Sequence, residues 1–482
     1  MMIKPVKLAG LEPERVFYYF EQICAIPHGS GNTKQISDYL AGFAAAQGLC
    51  YVQDELNNVV IFAPGTCGME DRPAVIIQSH MDMVCQKDKD CPLDMEKDPL
   101  DLAHDGTYVF AKGTTLGADD GIAMAMFLAV LDDDTIAHPP LEVVFTSDEE
   151  IGLIGANAID LSMLKGKKML NIDTFREGTF TAGSAGGAYV TMEMPLEKTA
   201  YTGKCLQITL ENLRGGHSAV VVQYNYANAA KTMGTLLQRL QAAGDYRLIE
   251  LSSGTAGNAV PRSCQTVLTA DDLDMGKVNA VCQEILQELK QVNGEQDAKI
   301  TVQELPAETA EALTQVATEN VVDLINDLPN GVQAWETAFE GLPQTSTNLG
   351  IVELTDKLSL LLYPRSSLNQ ERQALQDRLK NIAESRNAVY GQYGVFSAWE
   401  YREDSPLREL MSQIYQDMYG VVPTVRVVHA GLECGAFGDK IPGLDCISTG
   451  PNAMDVHTSR EKMEIASMQR SWDYLLALLK AL

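Results

Sequence analysis

Short apolar runs alternate with amphipathic segments in the first part of the chain. Runs that are typical of buried strands begin at Ala74, Leu141 and Lys168. Apolar residues at helical spacing predict helices over residues 13–25 and 33–47, and an apolar stretch rich in Ala and Met predicts a buried helix over residues 122–131. Strands that alternate with helices in this way favour an α/β domain.

The pattern changes near residue 186 and returns near residue 398. The middle region is predicted to be of α+β type, with strands over residues 205–210, 265–269 and 356–362 and helices over residues 226–243, 273–292 and 370–388. The last part is predicted to contain a helix over 406–419, strands over 425–428 and 444–448, and a C-terminal helix. We therefore expect a catalytic domain formed by residues 1–185 and 398–482, interrupted by an inserted domain over 186–397.

Composition narrows the functional class. The chain has 482 residues, of which 45% are hydrophobic, so it can bury large cores. The net charge of −28 repels phosphate backbones and anionic membranes, so we expect no nucleic-acid and no membrane partner. The ten cysteines are scattered, the N-terminus has no signal-peptide pattern, and the apolar stretch 121–131 is too short to span a bilayer. We expect a cytoplasmic protein.

Two adjacent carboxylates, Glu149 and Glu150, follow the apolar run 141–145. In parallel α/β sheets, ligands bind beyond the carboxyl ends of the strands. Neighbouring residues that leave a strand point in different directions, so one carboxylate can hold a cation while the other faces water. Adjacent acidic residues usually lie on the solvated surface. For Glu149 and Glu150 considered alone, this is the alternative interpretation.

The strand that begins at Ala74 leads into His80 and Asp82. The period of two places these side chains on one face, where a carboxylate can orient an imidazole that binds a metal. His28, in contrast, lies in a turn between Pro27 and Gly29, and we expect a structural or pocket-edge role for it.

Further carboxylates follow two other predicted elements. Asp119 and Asp120 come after a glycine turn at the start of helix 122–131, where helix capping is the alternative interpretation for Asp120. Asp173 ends the strand that begins at Lys168. These positions together suit a hard or borderline divalent cation, with the candidate ligands His80, Asp119, Glu150 and Asp173.

The motifs resemble those of a known family over essentially the whole chain. They are Ile26-Pro-His-Gly-Ser-Gly-Asn32, Ser79-His-Met-Asp-Met-Val84, Leu116-Gly-Ala-Asp-Asp-Gly-Ile122, Thr146-Ser-Asp-Glu-Glu-Ile-Gly152, Asn171-Ile-Asp173, Gly215-Gly-His-Ser218 and His429-Ala-Gly-Leu-Glu-Cys-Gly435. In this order they resemble the aminoacyl-histidine dipeptidases, or Xaa-His dipeptidases, of the co-catalytic dizinc aminopeptidase and carboxypeptidase superfamily. The resemblance implies an α/β fold: a phosphorylase/hydrolase-like zinc-peptidase catalytic domain with a mixed central sheet, interrupted by an inserted α+β lid domain.

The resemblance also implies a metal centre. His80 and Asp173 would hold one metal ion, Glu150 and His457 would hold the other, and Asp119 would bridge the two. The cofactors would be two divalent metal ions, which the family implies to be Zn, although Co and Mn accept the same nitrogen and oxygen ligands.

Catalytic roles follow from the same resemblance. Asp82 would orient His80, and Glu149 would act as general base and then general acid for attack by a water that bridges the metals. His217, on the lid, would stabilise the oxyanion. After Ser218 this chain departs from the family pattern, reading Ala219-Val-Val-Val-Gln-Tyr-Asn-Tyr-Ala-Asn228, which leaves the surroundings of His217 undetermined.

The resemblance places the substrate carboxylate against Asn258, Thr347 and Arg365 on the lid, although the hydroxyl involved could be any of those at residues 345–347. Glu433 is a candidate for binding the free ammonium group of the dipeptide, or a structural carboxylate in a turn. His429 is either a pocket wall or a core histidine.

The expected function is a metal-dependent cytosolic dipeptidase that hydrolyses unblocked Xaa-Yaa dipeptides and favours Xaa-His. A dimetal N-acyl amino acid deacylase or a broader exopeptidase is the alternative, and a non-catalytic binding protein would require the loss of a ligand or of the base Glu149. The resemblance also suggests a homodimer through the lid domain. The sequence does not determine the metal, the dipeptide preference or the oligomeric state.

Overall fold

The computed structural model describes residues 6–482, apart from the side chains of residues 307 and 308. The chain forms two compact units: unit 1 comprises Met1–Ser184, Tyr401–Val427 and Leu432–Leu482, and unit 2 comprises Ala185–Glu400 and Val428–Gly431. The predicted interruption at 186–397 lies near these boundaries, but Val428–Gly431, which we expected in the first domain, belongs to unit 2. The first five residues, which contribute to the expectation of no signal peptide, lie outside the described residues.

Unit 1 is built around a mixed sheet, which has eight strands within the described residues. Their bounds are Cys50–Gln53, Val59–Ala63, Val75–His80, Leu141–Thr146, Lys168–Asn171, Thr179–Ser184, Thr424–Val428 and Asp445–Ser448. Four of these pair in parallel, in the order Leu141–Thr146, Val75–His80, Lys168–Asn171 and Asp445–Ser448. We call these four the central strands; their carboxyl ends lie at one edge of the sheet.

A smaller antiparallel sheet and several helices complete unit 1. The smaller sheet contains Leu102–His104, Tyr108–Ala111, Ala453–Met454 and Lys462–Glu464. The helices are Glu14–Cys24, Lys34–Ala46, Ala118–Leu131, Ile154–Ala158, Pro406–Tyr419, Cys434–Lys440 and Ile465–Ala481. Every residue of Ala118–Leu131 is buried, and the helix packs against Glu14–Cys24 and Val75–His80 in the hydrophobic core of unit 1. Such a helix is apolar on all sides because it is surrounded by protein.

Unit 2 contains an antiparallel sheet, with eleven strands within the described residues. They are Gly186–Pro195, Lys198–Glu211, Arg247–Ser253, Cys264–Ala270, Lys299–Leu313, Gly331–Trp335, Pro343–Thr347, Leu349–Leu354, Lys357–Leu362, Arg365–Ser366 and Val389–Phe396. Gly216–His217 pairs separately with Ala259–Val260.

The α-helices of unit 2 are Ser218–Val221, Ala229–Leu240, Met275–Val292, Gln315–Asp327 and Asn369–Ser385, with 3-10 turns at Val222–Tyr224 and Gln241–Ala243. The helix predicted over 226–243 begins only at Ala229, because the Asn228 side chain caps it by accepting from the amides of Ala230 and Lys231. The helices pack on a hydrophobic core that belongs to unit 2. No helix within residues 6–482 is long and apolar enough to cross a membrane.

Candidate metal and catalytic site

The carboxyl edge of the central strands gathers the predicted ligands in unit 1. His80 is the last residue of its strand, Glu149 and Glu150 follow the strand that ends at Thr146, and Asp173 follows the strand that ends at Asn171. Asp119 arrives at the same edge from the start of the buried helix Ala118–Leu131. The parallel pairing of the strands brings together residues that are far apart in sequence.

Asp119 is shared by two groups of potential metal ligands. One group is His80, Asp119 and Asp173, the other is Asp119, Glu150 and His457, and within each group the ligand atoms lie within 4.8 Å of one another. The two oxygens of Asp119 face different histidines: Oδ1 lies 2.9 Å from His80 Nε2, and Oδ2 lies 3.1 Å from His457 Nε2. His457 Nε2 also lies 2.7 Å from Glu150 Oε1. This arrangement has the connectivity of two cation sites that share one carboxylate.

The electrostatics of the cluster favour cations. Burial raises the pKa values of Glu149 and Asp173 well above their ordinary values, and neighbouring carboxylates raise them further. Hydrogen bonds to Asp119 and Glu150 raise the pKa of His457 to about 11. For Asp119, burial opposes ionisation, but hydrogen bonds from the two histidines lower its pKa to about 2. Carboxylates and imidazoles gathered in this way fit divalent cations that accept oxygen and nitrogen ligands.

Asp82 connects a ligand histidine to the Glu149-Glu150 segment. The Nδ1 atom of His80 lies 2.9 Å from the Asp82 carbonyl oxygen and 3.6 Å from its Oδ1. The same carboxylate accepts the backbone N–H of Glu149 at 2.9 Å, that of Glu150 at 3.3 Å, and the hydroxyl of Ser30 at 2.7 Å. Asp82 is 1% exposed, so these bonds hold it in one position. It therefore positions the loop that carries Glu149 and Glu150 as well as His80.

The capping interpretation of Asp120 is wrong. The residue before helix Ala118–Leu131 is Gly117, at φ 69°, and no side chain of its own segment caps the helix. Neither carboxylate oxygen of Asp120 has a hydrogen-bond partner within the described residues, and burial raises its pKa well above the ordinary value. Asp120 is therefore buried next to the site rather than bound to the helix terminus.

Glu461 binds the backbone N–H groups at the start of this segment, the contact that the capping alternative would have given to Asp120. Its carboxylate accepts the backbone N–H groups of Leu116, Gly117 and Ala118 at 2.9, 3.1 and 2.9 Å. Glu461 is 2% exposed and holds the turn that delivers Asp119. No local sequence pattern predicts this role, because Glu461 and Leu116 lie 345 positions apart.

Buried polar side chains form a hydrogen-bonded layer on the central strands, two residues before the candidate ligands His80 and Asp173. Asn171 Nδ2 donates to Gln78 Oε1 at 2.8 Å, and Gln78 Nε2 donates to Thr146 Oγ1 at 3.1 Å. Gln78 and Thr146 also both donate to Glu433 Oε2. Gln78 and Asn171 interrupt apolar strands two residues before His80 and Asp173, which is a sequence signal that could have revealed the layer.

Glu433 is 1% exposed, and its pKa is raised to about 7 because burial outweighs the hydrogen bonds from Thr146 and Gln78. Its Oε1 is buried without a hydrogen-bond partner within the described residues, so binding of the substrate ammonium group stays a prediction beside the structural alternative. His28 is also buried, and its Nδ1 lies 2.6 Å from the Ile26 carbonyl oxygen, in keeping with a structural role.

The remaining candidates lie in unit 2. His217 is exposed at the end of a two-residue strand, and both partial burial and the charge of Arg365 lower its pKa. Arg365 is 4% exposed, with its guanidinium carbon 4.2 Å from the ring centroid of Tyr363. Asn258 is half-buried, and its carbonyl accepts the Ser218 amide at 2.8 Å.

The hydroxyls at residues 345–347 have different surroundings. Thr345 Oγ1 lies 2.9 Å from Ser366 Oγ, and Ser346 Oγ lies 2.7 Å from His429 Nε2. Thr347 Oγ1 is buried without a hydrogen-bond partner within the described residues. Of the three hydroxyls, that of Thr347 is therefore the one whose hydrogen bonds are not already made inside unit 2. His429 is a buried histidine that packs into unit 2 through Ser346.

Comparison with known proteins identifies the family. The family model described as "Peptidase family M20/M25/M40" matches residues 76–481. The chain belongs to this family. It is therefore a peptide-bond hydrolase, which confirms the resemblance and the enzyme class predicted from the motifs.

Individual members of the family match over nearly the full length. The chain is 34% identical over 481 residues to the cytosol non-specific dipeptidase of Escherichia coli (strain K12), covering 98% of this chain and 99% of the relative. The crystal structure of the aminoacylhistidine dipeptidase from Vibrio alginolyticus is 34% identical and superimposes with a TM-score of 0.89 over 99% of this chain and 98% of that chain. A Staphylococcus aureus tripeptidase shares the fold at 15% identity, with a TM-score of 0.57 and 98% of both chains covered. These matches confirm the predicted α/β fold class with an inserted domain.

Proposed function

We propose that this M20/M25/M40 family member is a metal-dependent dipeptidase that hydrolyses unblocked Xaa-Yaa dipeptides in the cytosol. The observation that carries the proposal is the shared carboxylate of Asp119, with its two oxygens 2.9 and 3.1 Å from the imidazoles of His80 and His457. Two relatives that match over nearly the full length, a cytosol non-specific dipeptidase and an aminoacylhistidine dipeptidase, support the substrate class and the compartment.

Two zinc ions are the cofactors that we propose. His80, Asp119 and Asp173 would hold one ion, and Asp119, Glu150 and His457 would hold the other, in keeping with the clustering of their ligand atoms. When bound, two such cations polarise a scissile carbonyl and lower the pKa of water at the site.

Glu149 is the proton carrier in this proposal. Its carboxylate lies beside the ligands, grouped with His80 and Glu150, and the Asp82 carboxylate holds its backbone N–H at 2.9 Å. Burial and neighbouring negative charges raise its pKa, which makes the carboxylate a stronger base than a solvated glutamate. Glu149 would take a proton from the attacking water and deliver it to the nitrogen of the leaving amine.

Unit 2 supplies the groups that we assign to substrate binding. Arg365, the Thr347 hydroxyl and Asn258 would hold the substrate carboxylate, and His217 would donate a hydrogen bond to the oxyanion. A donor of this kind lowers the barrier by roughly 3 kcal/mol. We also propose that unit 2 corresponds to the lid domain of the family.

The test is a hydrolysis panel on chelator-treated protein, with zinc, cobalt or manganese added back separately. The substrates are Ala-His, Gly-His, β-Ala-His, Leu-Gly, an N-acetylated dipeptide and a tripeptide. We expect metal-dependent cleavage of unblocked dipeptides and none of the acetylated dipeptide or the tripeptide, with Xaa-His among the better substrates. Cleavage of the acetylated compound would assign the protein to the deacylases, and cleavage of the tripeptide would indicate a broader exopeptidase.

A further inference from the structure

Unit 2 contains a cavity of about 300 Å³ beside the residues assigned to substrate binding. Its wall includes Ser218, which follows His217, and Thr347, which we assign to the substrate carboxylate. Trp335, which is 49% exposed, and Val222 form apolar parts of the wall. We refer to this space as the unit 2 cavity.

Three side-chain polar atoms in the wall of the cavity are buried without a hydrogen-bond partner within the described residues. They are Ser218 Oγ, Gln223 Oε1 and Thr347 Oγ1. Other amides in the wall are already bonded within unit 2: Asn348 donates to the carbonyl oxygens of Gly257 and Ala259, and Asn330 Oδ1 accepts from the Leu349 amide. Buried polar atoms without partners are uncommon, so these three indicate a binding site for a polar group.

Charged side chains are absent from the wall of the cavity as far as the described residues form it. Arg214 contacts a residue of the wall, with its guanidinium carbon 3.8 Å from the ring centroid of Tyr226. Its charge is compensated by Glu295, at 3.4 Å. Apart from the carboxylate assigned to Thr347 and Arg365, a charged side chain of the ligand would therefore lose its hydration in this cavity without gaining an opposite charge from the wall, which is costly.

We propose that the unit 2 cavity receives the side chain of the C-terminal residue of the dipeptide and selects for uncharged side chains that carry a hydrogen-bonding group. The inference rests on the proposed dipeptidase function, because it places the substrate carboxylate at Thr347. The side chain next to that carboxylate is the one that meets Gln223, Trp335 and the Ser218 hydroxyl.

One segment of the chain supplies part of the cavity wall. The segment 219–228, where the sequence departs from the family pattern, contributes Val222, Gln223 and Tyr226 to the wall. Specificity for the second residue of the substrate therefore depends on this segment.

The experiment compares substrates that differ in the charge of the second residue. The kcat/KM values are measured for Ala-Gln, Ala-Glu and Ala-Lys with the metal-loaded wild-type protein and with Gln223→Glu and Gln223→Lys. The wild type is expected to cleave Ala-Gln in preference to both charged substrates. Gln223→Glu should raise the ratio of Ala-Lys to Ala-Glu cleavage by about tenfold or more, and Gln223→Lys should lower it by a similar factor, because like charges repel at close range.

Two controls separate a local effect from a change in the overall field. Gln333→Glu and Gln333→Lys make the same charge changes at an exposed residue of the strand Gly331–Trp335 that is not in the wall of the cavity, and they should leave the ratio unchanged. The ratio of Lys-Ala to Glu-Ala cleavage reports on the first residue and should respond to none of the variants.

The cavity assignment would be overturned if the protein cleaves dipeptides but the ratio of Ala-Lys to Ala-Glu cleavage is unchanged in every Gln223 variant that folds. This result would leave the proposed function intact. A response of the first-position ratio would instead assign the cavity to the N-terminal residue and would also overturn the proposal. Absence of metal-dependent cleavage of every dipeptide by the wild type would overturn the proposed function itself.

Discussion

Single residues decide whether the site can work, and Asp119 shows why. Its two oxygens contact two histidines from different parts of the chain, so one side chain links both potential metal positions. Glu149 and Glu150 are adjacent, yet only Glu150 lies in a ligand group with Asp119 and His457. The roles that we propose for the pair, proton transfer for Glu149 and metal binding for Glu150, can therefore be separated by substitution.

Glu149→Ala should reduce kcat for Ala-His by about 10²–10⁴-fold, because it removes the proposed proton carrier, while both metal ions stay bound. Glu150→Ala, the matched variant at the next position, should instead lose metal. The measurements are steady-state kinetics and metal content by mass spectrometry after gel filtration. Near-normal kcat in metal-loaded Glu149→Ala would contradict the assignment of the base.

Unit 2 should lose stability at acidic pH because its histidine His429 is buried. Burial, together with the charge of Arg365, lowers its pKa from 6.5 to about 3. Between these values the unfolded chain binds a proton that the folded chain does not, so stability is lost as the pH falls below the unfolded pKa. From about pH 6.5 to about pH 5 the wild type should lose on the order of 1–2 kcal/mol more than His429→Asn does.

Urea unfolding of the metal-loaded proteins at the two pH values measures this difference. His104→Asn, at an exposed histidine of unit 1, is the matched control and should follow the wild type. Equal acid sensitivity of the wild type and His429→Asn would show that His429 accepts a proton in the folded state.

At the scale of elements, the start of helix Ala118–Leu131 is the critical feature. This helix is buried over its whole length, and its first turn carries Asp119. The backbone N–H groups at its start are bound by Glu461, from a segment near the end of the chain. Because unsatisfied backbone groups are costly in a buried position, Glu461 fixes the approach of Asp119 to the site.

Glu461→Gln should therefore affect both folding and metal binding. The amide nitrogen that replaces one carboxylate oxygen faces a backbone N–H, and the loss of that bond should reduce the free energy of unfolding by about 1–3 kcal/mol. Zinc affinity should fall by about 10–100-fold, as for other residues that orient ligands. Urea unfolding and competitive zinc titration measure the two effects, with the exposed Glu403→Gln as control. If Glu461→Gln bound zinc as tightly as the wild type, Glu461 would not be needed to position the metal ligands.

At the scale of the whole molecule, each unit has a hydrophobic core of its own. The clustered ligand groups lie in unit 1, and within the described residues unit 2 contributes no member to them. A ligand that binds one folded domain stabilises that domain by mass action. The expectation of a homodimer through the inserted domain stays a prediction, for which sedimentation velocity is the direct measurement.

Removal of the metal should therefore lower the temperature of the unfolding transition of unit 1 and leave that of unit 2 unchanged. In calorimetry, zinc at 100 times its dissociation constant should stabilise the transition of unit 1 by about 2.7 kcal/mol for each bound ion and leave that of unit 2 in place. Asp173→Asn, which lacks a proposed ligand, should show a smaller shift. A single transition that moves as a whole with zinc would show that the two units unfold together.

The sequence by itself determined the local elements and the positions of the candidate ligands along the chain. Continuous apolar runs predict buried strands whatever the rest of the chain does, and the residues that follow them, such as His80 and Glu150, then fall at strand ends. For the same reason the predicted helices 13–25 and 33–47 correspond to Glu14–Cys24 and Lys34–Ala46. The motifs also identified the family, since their order along the chain is a property of sequence alone.

Only the tertiary structure decided which distant residues support the site. The hydrogen bond from Leu116 to Glu461 joins residues 345 positions apart, and that from Gln78 to Glu433 joins residues 355 positions apart. No local sequence pattern specifies such pairs. The same holds for the unit 2 cavity, where Gln223 and Thr347 come from separate segments. Local propensity acts over a few residues, whereas these contacts depend on how the strands are ordered and packed, so helix capping stayed an alternative for Asp120 and the role of Glu461 was not predicted.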